Sequence, residues 1–431
     1  MRDALKVYLP LVAILLAAGL LIWHLMAPAP PHDLTIASGP ADGAYAAYAE
    51  RYRRILATDG LTLEVIHTSG SVENQQLLAD GQVDVAFIQG GTVGVNGDGE
   101  PPAGMEALAS LYYEPLWVFV RGTQAPNRLS QLADKRIAIG PEGSGTRRLA
   151  LTLLAESGVD TSGNTASKFL PIGGEEAAEA LLKGRADAAF FVTGKVSPAM
   201  RSLIDSPAVR LMNFAQGDAL SHRLPFLSAI TLPRGGIDLG RDIPASAMTL
   251  VAPAAQLAVR DTINPALVDA LLEAAHKIHR QGSLFERQGE FPSRNFLELP
   301  LNAEAEQYFR SGPSLARRYL PFWAASVVER ALILLLPLLT LAIPLIKFAP
   351  GIYNWQVSGR IIKWYRRLRA VESEAEKEDL SPERRAALIA ELDSIQVQVS
   401  HVHVPNAYAQ SLYDLRGHID LVRKLIGSEA R

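Results

Sequence analysis

An eight-residue pattern occurs twice in this chain and constrains its fold more than any other feature. Residues 81–88 read Gly-Gln-Val-Asp-Val-Ala-Phe-Ile, and residues 184–191 read Gly-Arg-Ala-Asp-Ala-Ala-Phe-Phe. Each copy follows a helical segment with paired leucines and precedes a loop that contains glycine. The shared helix–turn–strand order predicts two structurally equivalent α/β lobes. Because Asp84 and Asp187 occupy the same place in both copies, we expect them to have structural roles.

Polar, glycine-containing loops follow the predicted strands. Strands and helices alternate here, which favours mostly parallel sheets. Ligands bind to such sheets beyond the carboxyl ends of the strands, so we expect these loops to converge on one crevice. The loops comprise residues 38–39, residues 68–71, Gln89, residues 143–146 and residues 193–194.

The stretch 135–148 combines a short buried strand, a loop of Gly, Ser and Thr, and an amphipathic helix. Ser144 or Thr146 can cap the start of this helix. The unpaired N–H groups of a helix N-terminus favour an anion such as a carboxylate or a phosphate. Arg147 could bind a carboxylate with two hydrogen bonds, or it could be an ordinary solvated residue of the first turn.

The composition excludes several classes of function. The chain has 431 residues, no cysteine and a net charge of -3. Disulfides and cysteine-based metal or redox chemistry are therefore excluded, and nothing favours nucleic-acid binding. Gly140 and Gly145 nearly have the spacing of a phosphate-binding P-loop, but Thr146 stands where that motif requires lysine.

Metal and catalytic sites are also not expected. The pairs His276/His279 and His401/His403 have no further ligand at a matching spacing, so we interpret them as surface residues. The sequence contains no evident Ser-His-Asp or paired-carboxylate arrangement. We therefore predict no metal, no cofactor and no enzymatic activity, against the alternative of an enzyme on the same fold.

Two apolar segments indicate a membrane protein. Residues 7–27 are long enough to cross a hydrocarbon core of about 30 Å, although residues 27–29 (Ala-Pro-Ala) resemble a signal-peptide cleavage site. Residues 331–346 are predicted to span as well, with a buried or interfacial helix as the alternative. Basic residues flank the outer sides of both segments, which predicts that both termini are cytoplasmic. Residues 32–320 would then lie outside, in the periplasm of a Gram-negative cell.

Five segments together resemble the TAXI family of TRAP-transporter solute-binding proteins. They are residues 68–74, 81–89, 111–115, 135–147 and 184–194. The resemblance covers about residues 32–285. It implies a type II periplasmic-binding-protein fold with two hinged lobes that close on an amino acid or a small carboxylate. The loop at residues 38–45 departs from the family pattern, and so does the second apolar segment.

The predicted fold class is therefore α/β: a two-lobe type II periplasmic-binding-protein fold, with two transmembrane helices and a C-terminal helical tail. The predicted bounds are 1–31 for the N-terminal anchor or signal segment, 32–310 for the two-lobe domain, 320–347 for the second transmembrane segment and 348–431 for the cytoplasmic tail. Lobe 1 is placed at about 32–120 and 220–310 and lobe 2 at about 121–219, with hinges near 120–123 and 215–225.

The predicted ligand-binding residues are Ser38, Gly39, Tyr45, Ser69, Ser71, Asn74, Gln89, Ser144, Gly145, Thr146 and Arg147. Tyr112 and Tyr113 could line the cleft near the hinge. The resemblance implies an extracytoplasmic subunit of a TRAP-type system that passes its solute to an ion-driven permease in the inner membrane. The alternative is a membrane-bound sensor that reports ligand occupancy to its cytoplasmic tail.

Overall fold

The computed structural model describes residues 2–25, 29–94, 102–162, 168–376, 381–404 and 408–428. Contacts divide the chain into two units, Ala27–Glu329 on the one hand and Met1–Met26 with Arg330–Arg431 on the other. The strands of the described residues all lie in Ala27–Glu329, which we call the α/β unit. The described part of the other unit is helical.

The strands are β1 (Asp33–Ala37), β2 (Thr62–Ile66), β3 (Val85–Gln89), β4 (Met105–Tyr113), β5 (Leu116–Arg121), β6 (Ile137–Ala138), β7 (Phe169–Leu170), β8 (Ala188–Val192), β9 (Val209–Leu211), β10 (Leu227–Leu232) and β11 (Met248–Arg260). The helices are α1 (Arg2–Leu25), α2 (Ala44–Thr58), α3 (Ser71–Ala79), α4 (Gly145–Glu156), α5 (Gly174–Leu182), α6 (Pro198–Ile204), α7 (Gly217–Arg223), α8 (Pro265–His279), α9 (Ala303–Ser311), α10 (Leu315–Tyr319), α11 (Phe322–Ala375), α12 (Pro382–Ser400) and α13 (Ala409–Ser428).

Two sheets form the two lobes of the α/β unit. In the first lobe, β1 pairs in parallel with β2 and β3, and β11 runs antiparallel to β3 and β4. In the second lobe, β6 pairs in parallel with β7 and β8, and β5 runs antiparallel to β8 and β9. Each lobe therefore has a parallel three-strand group beside an antiparallel strand, which confirms the predicted equivalence.

The two repeated aspartates, Asp84 and Asp187, accept hydrogen bonds from a neighbouring strand or its leading residue in their own lobes. Asp84 Oδ2 accepts hydrogen bonds of 2.9 Å from both the backbone N–H and the hydroxyl of Thr35, in the middle of β1 in the first sheet. Asp187 Oδ2 accepts one of 2.9 Å from the backbone N–H of Arg136, which precedes β6. Each carboxylate binds the backbone at a neighbouring strand, so the predicted structural roles are confirmed.

The chain crosses between the sheets at two adjacent places. β4 ends at Tyr113 and β5 begins at Leu116, so the first crossing is at Glu114 and Pro115. β11 pairs with β10 up to Pro253 and with the first sheet beyond it. The N–H of Glu114 donates to the Pro253 carbonyl at 2.8 Å, which joins the two crossings.

These crossings correct the predicted hinges near 120–123 and 215–225. β5 and β10 hydrogen-bond in the second sheet, although the sequence placed residues 116–120 and 227–232 in the first lobe. The physical reason is that a fully buried strand is apolar on both faces, so its pattern does not reveal which neighbour it pairs with.

Among the described residues, two helices are long and apolar enough to cross a membrane: Tyr8–Leu25 within α1, and part of α11. α11 is one continuous helix, whereas the sequence predicted a span at 320–347 and a separate helix at 361–377. It contains Pro337, Pro344 and Pro350. Proline removes one backbone hydrogen bond but is tolerated in apolar helices of this kind.

The C-terminal helices form a small core of their own. Leu368 of α11, Leu392 of α12 and Ile419 of α13 are among its buried residues. Ser381 accepts a hydrogen bond of 3.2 Å from the N–H of Arg384, and Pro382 is the first residue of α12. This cap followed by proline confirms the predicted start of the helix.

Candidate ligand-binding cleft

Loops from the two lobes meet at the carboxyl ends of their strands. The amide of Gln89, at the end of β3, donates to the Gly145 carbonyl at 3.1 Å. A methyl group built on Gly70 would lie 3.5 Å from Ser144 Cα, and one built on Gly143 only 2.5 Å from Ser69 Oγ. The structure thus brings the loops at 68–71, Gln89 and 143–146 together, in a closed arrangement of the lobes.

The side chains of three predicted contacts are hydrogen-bonded to backbone groups inside the first lobe. Asn74 is buried; its amide donates to the carbonyls of Ser38 and Phe87, the latter at 2.8 Å. Ser71 Oγ accepts from the N–H of Gln89 at 2.8 Å. Ser38 Oγ donates to the Ile66 carbonyl at 3.0 Å. These hydrogen bonds of Ser38, Ser71 and Asn74 fix the positions of the cleft loops. Direct contact of the three residues with a ligand stays a prediction.

Ser69 is half-buried and Gly39 is buried in the first lobe. The N–H and hydroxyl of Ser69 donate to Glu73 Oε2 at 2.7 and 2.6 Å, and these hydrogen bonds lower the pKa of Glu73. The Gly39 carbonyl accepts from the N–H of Thr68 at 3.3 Å. Gly70, between these loops and α3, has a φ of +133°, which favours glycine.

The second lobe contributes the start of α4. Ser144 Oγ accepts from the N–H of Arg147 at 3.2 Å and donates to the Pro141 carbonyl at 2.7 Å. Of the two predicted caps, the structure selects Ser144. A side chain at Gly140, where φ is +96°, would lie 2.8 Å from Ser144 Oγ, so glycine is required there. Thr146 is half-buried beside it.

One guanidinium nitrogen of the half-buried Arg147, Nη1, is buried without a hydrogen-bond partner among the described residues. The side chain starts from the first turn of α4, whose leading residues touch the first lobe. A buried donor without a partner costs about 1–3 kcal/mol, and more when it is charged. The neighbouring Arg148 is exposed. A bound carboxylate would satisfy Arg147, and its planar guanidinium suits that group.

A buried tyrosine and glutamate lie at the base of the cleft. Tyr45 Oη donates to Glu114 Oε2 at 2.8 Å, and the Tyr45 ring stacks on Phe87. Glu114 is only 4% exposed, and this burial raises the pKa of its carboxyl to about 8. The predicted ligand contact of Tyr45 thus competes with an internal hydrogen bond. Sequence reasoning missed Glu114 as a functional residue; its signal was a single acidic residue in the mostly apolar run 107–120.

Tyr112 lies where the second lobe covers the crossing. A methyl group built on Gly194 would lie 3.5 Å from the Tyr112 ring and 3.2 Å from the Tyr113 carbonyl. Lys195 Nζ lies 5.9 Å from the centroid of the Tyr48 ring. The predicted position of Tyr112 near the hinge is confirmed, and Lys195 adds a second cation on the side of the second lobe.

His279 is buried, which corrects its interpretation as a surface residue. It is 7% exposed and stacks on Tyr112, with ring centroids 5.6 Å apart. Burial lowers the pKa of its imidazole to about 3, so it is neutral at ordinary pH. The described residues contain no group of three or more His, Asp or Glu side chains that could hold a metal ion.

The profile of a family described as NMT1-like matches residues 36–311. The chain belongs to the NMT1-like family. The matched span runs from β1 to the end of α9, so the NMT1-like region contains both lobes and the cleft between them. The match confirms the predicted periplasmic-binding-protein-like type 2 fold.

Solved structures similar to the NMT1-like region are distant. The alkanesulfonate-binding protein SsuA from Xanthomonas axonopodis pv. citri, bound to MOPS, is 17% identical, with 59% of this chain and 76% of that chain covered and a TM-score of 0.37. A protein from Bordetella bronchiseptica RB50 is 16% identical, with coverages of 67% and 100% and a TM-score of 0.41. The BenM effector-binding domain with its effector benzoate is 15% identical, with coverages of 57% and 91% and a TM-score of 0.36. The fold assignment therefore rests on the family match and the strand pairing.

Proposed function

We propose that the chain is the extracytoplasmic solute-binding subunit of a TRAP-type transport system of the TAXI kind. Its solute would be a small carboxylate or an amino acid, held between the lobes. The observation that carries this proposal is that Nη1 of Arg147 is buried and has no partner among the described residues. Arg147 lies in the first turn of α4, and the start of this helix touches the first lobe.

Helix N-termini support an anionic solute. The N-caps of α2, α3 and α5 are glycines without a side-chain cap, so their first N–H groups are not taken up by a capping side chain. Each favourable helix terminus contributes about 0.3–1 kcal/mol to holding an anion. Micromolar affinity needs about 8 kcal/mol, so the Arg147 guanidinium and several loops must act together.

The two apolar helices fit an anchored form of such a subunit. In this proposal α1 and α11 span the inner membrane, both termini are cytoplasmic, and the α/β unit faces the periplasm. Basic residues flank the outer ends of both apolar segments, as the positive-inside rule requires. The permease would receive the solute when the lobes open.

A thermal-shift screen tests the proposal. The full chain, in nanodiscs, is heated with a panel of amino acids and mono- and dicarboxylates. A solute at about 100 times its Kd should stabilise the α/β unit by about 2.7 kcal/mol, which is readily seen as a higher Tm. If no member of the panel raises the Tm, the carboxylate and amino-acid assignment fails.

Two neighbouring arginines make a matched pair for the same screen. Arg147→Met should weaken binding of the stabilising solute by about 10–100-fold, because a charge-assisted pair is worth about 1.5–3 kcal/mol. Arg148→Met removes an exposed charge one residue away and should change the Kd less than about twofold. Equal effects of the two substitutions would remove Arg147 from the proposed site.

A ligand sensor is the second candidate, favoured by the continuity of α11. One helix covers Phe322–Ala375 and supplies Leu368 to the core that it shares with α12 and α13. In a sensor, solute would change hydrogen exchange in α12 and α13. In a carrier, solute would change exchange in the α/β unit alone.

A further inference from the structure

The short helix α10 is bound to the first lobe by a buried arginine. The side chain of Arg317 is 6% exposed, and Nη2 donates to Asp59 at 3.1 Å and to Glu273 at 2.5 Å. Its guanidinium carbon also lies 5.2 Å from the centroid of the Phe322 ring. Asp59 follows α2, and Glu273 is on α8, so α10 is attached to two helices of the first lobe.

The residues around α10 strengthen this attachment. Phe322 is 1% exposed, and the next ring, that of Trp323, stacks on His32 with centroids 3.9 Å apart. The carbonyl of His32 accepts from the N–H of Thr62 at 2.8 Å, which ties it to β2. The first residues of α11 and the segment after α1 therefore touch each other on the same lobe.

The opposite side of α10 is apolar and exposed. Leu315 is 74% exposed and Tyr319 is 83% exposed. They are four residues apart, so they share one face of the helix, and Leu320 beside them is also exposed. Arg318 is exposed at the same end, and its guanidinium donates to the carbonyls of Pro313 and Ser311. Arg317 thus holds α10 in an orientation that keeps two large apolar side chains in solvent.

We propose that this face of α10, formed by Leu315 and Tyr319, rests in the headgroup region of a lipid bilayer together with Leu320, which directly follows the helix. The apolar helix α11 begins at Phe322, two residues after Leu320, so the face is continuous along the chain with a segment long and apolar enough to span a bilayer. Tyrosine is enriched at membrane interfaces, because its ring is apolar and its hydroxyl is wet.

A second copy of the chain fits this surface less well. A stable protein interface buries about 800 Å² on each partner, whereas three side chains supply only part of that area. The lipid contact needs no such area, because the neighbouring helix already supplies the binding energy. Because α10 holds the first lobe at the bilayer, the second lobe is the part that moves when the cleft opens.

Fluorescence quenching along α10 tests the proposal on the full chain. The protein has no cysteine, so single cysteines at 315, 316, 318 and 319 can each carry an environment-sensitive fluorophore. The variants are reconstituted in vesicles of phosphatidylcholine and phosphatidylglycerol with a nitroxide at a shallow acyl position. Leu239, 88% exposed in the second-lobe segment between β10 and β11, is the matched control for an exposed leucine.

The expected result is periodic. Labels at 315 and 319 should be quenched at least about twofold more than those at 316, 318 and 239, because only one helix face enters the interface. Quenching that rises smoothly from 315 to 319 would reflect mere closeness to α11 and would overturn the proposal. Absence of quenching at 315 and 319 would overturn it as well, as would disulfide cross-links between copies through Leu315→Cys.

Discussion

Replacing Arg317 by methionine is expected to lower the free energy of unfolding of the α/β unit by about 3 kcal/mol. The substitution removes the ion-pair partner of Asp59, whose side chain is only 23% exposed, and leaves Glu273, 34% exposed, with Lys277 alone among the described residues, at 3.3 Å. Methionine keeps much of the volume against Phe322, so lost packing contributes little. Heating the full chain in detergent should show a Tm about 5–10 °C lower.

Arg310→Met is the control for that prediction. Arg310 pairs with Glu306 one turn earlier on α9, and both side chains are exposed. Such a surface pair contributes about 0.3–0.5 kcal/mol, so the Tm should change by about a degree. If the Tm values of the Arg317 and Arg310 variants both equal that of the wild-type chain, α10 is not fixed to the first lobe in the way the contacts indicate.

The stability of the wild-type chain should fall as pH rises from about 5 to 8, because the pKa of Glu114 is raised to about 8 in the folded state from 4.5. Below that window the carboxyl is protonated in both states and the stability is fully present. Within it, the unfolded chain loses the proton while the folded chain keeps it, at about 1.4 kcal/mol per pH unit. Above pH 8 both states are ionised and the loss is complete.

Glu114→Gln separates this group from the others. Glutamine can still accept the hydrogen bond from Tyr45, and it does not titrate. Urea unfolding at pH 5, 6, 7 and 8 should therefore show a shallower decline. Glu298, whose pKa burial raises to about 7, adds to the remaining slope, whereas His279, whose pKa burial lowers to about 3 from 6.5, opposes it below about pH 6.5. Glu175→Gln, at an exposed position on α5, should leave the wild-type slope unchanged. Equal slopes in wild type and Glu114→Gln would contradict a buried, neutral Glu114.

Local patterns predicted much of the fold correctly. The repeat around Asp84 and Asp187 indicated two equivalent lobes, and each aspartate fixes a neighbouring strand. Ser144 and Ser381 were identifiable as helix caps because capping depends on a few consecutive residues. The cleft loops were found for a similar reason, since glycines and hydroxyls follow the strands directly.

Contacts between segments that are distant along the chain could not be predicted from the sequence. The crossings at Glu114 and Pro253 depend on which strands pair, and an apolar run does not specify its partner. The predicted surface position of His279 was wrong because three tyrosines from α2 and β4 surround it. The sequence analysis did not single out Arg317, because only the fold brings Asp59 and Glu273 to it.

The distance between the lobes, measured with and without solute, tests the central claim most directly. Ala79 on α3 and Ala155 on α4 are exposed and lie one on each lobe, and a chain without cysteine allows spin labels at these two sites alone. In nanodiscs, at least one amino acid or small carboxylate should shorten and narrow the distance distribution, and Arg147→Met should abolish the change at the same concentration. A distribution that no solute of the panel alters would contradict a cleft that closes on a solute.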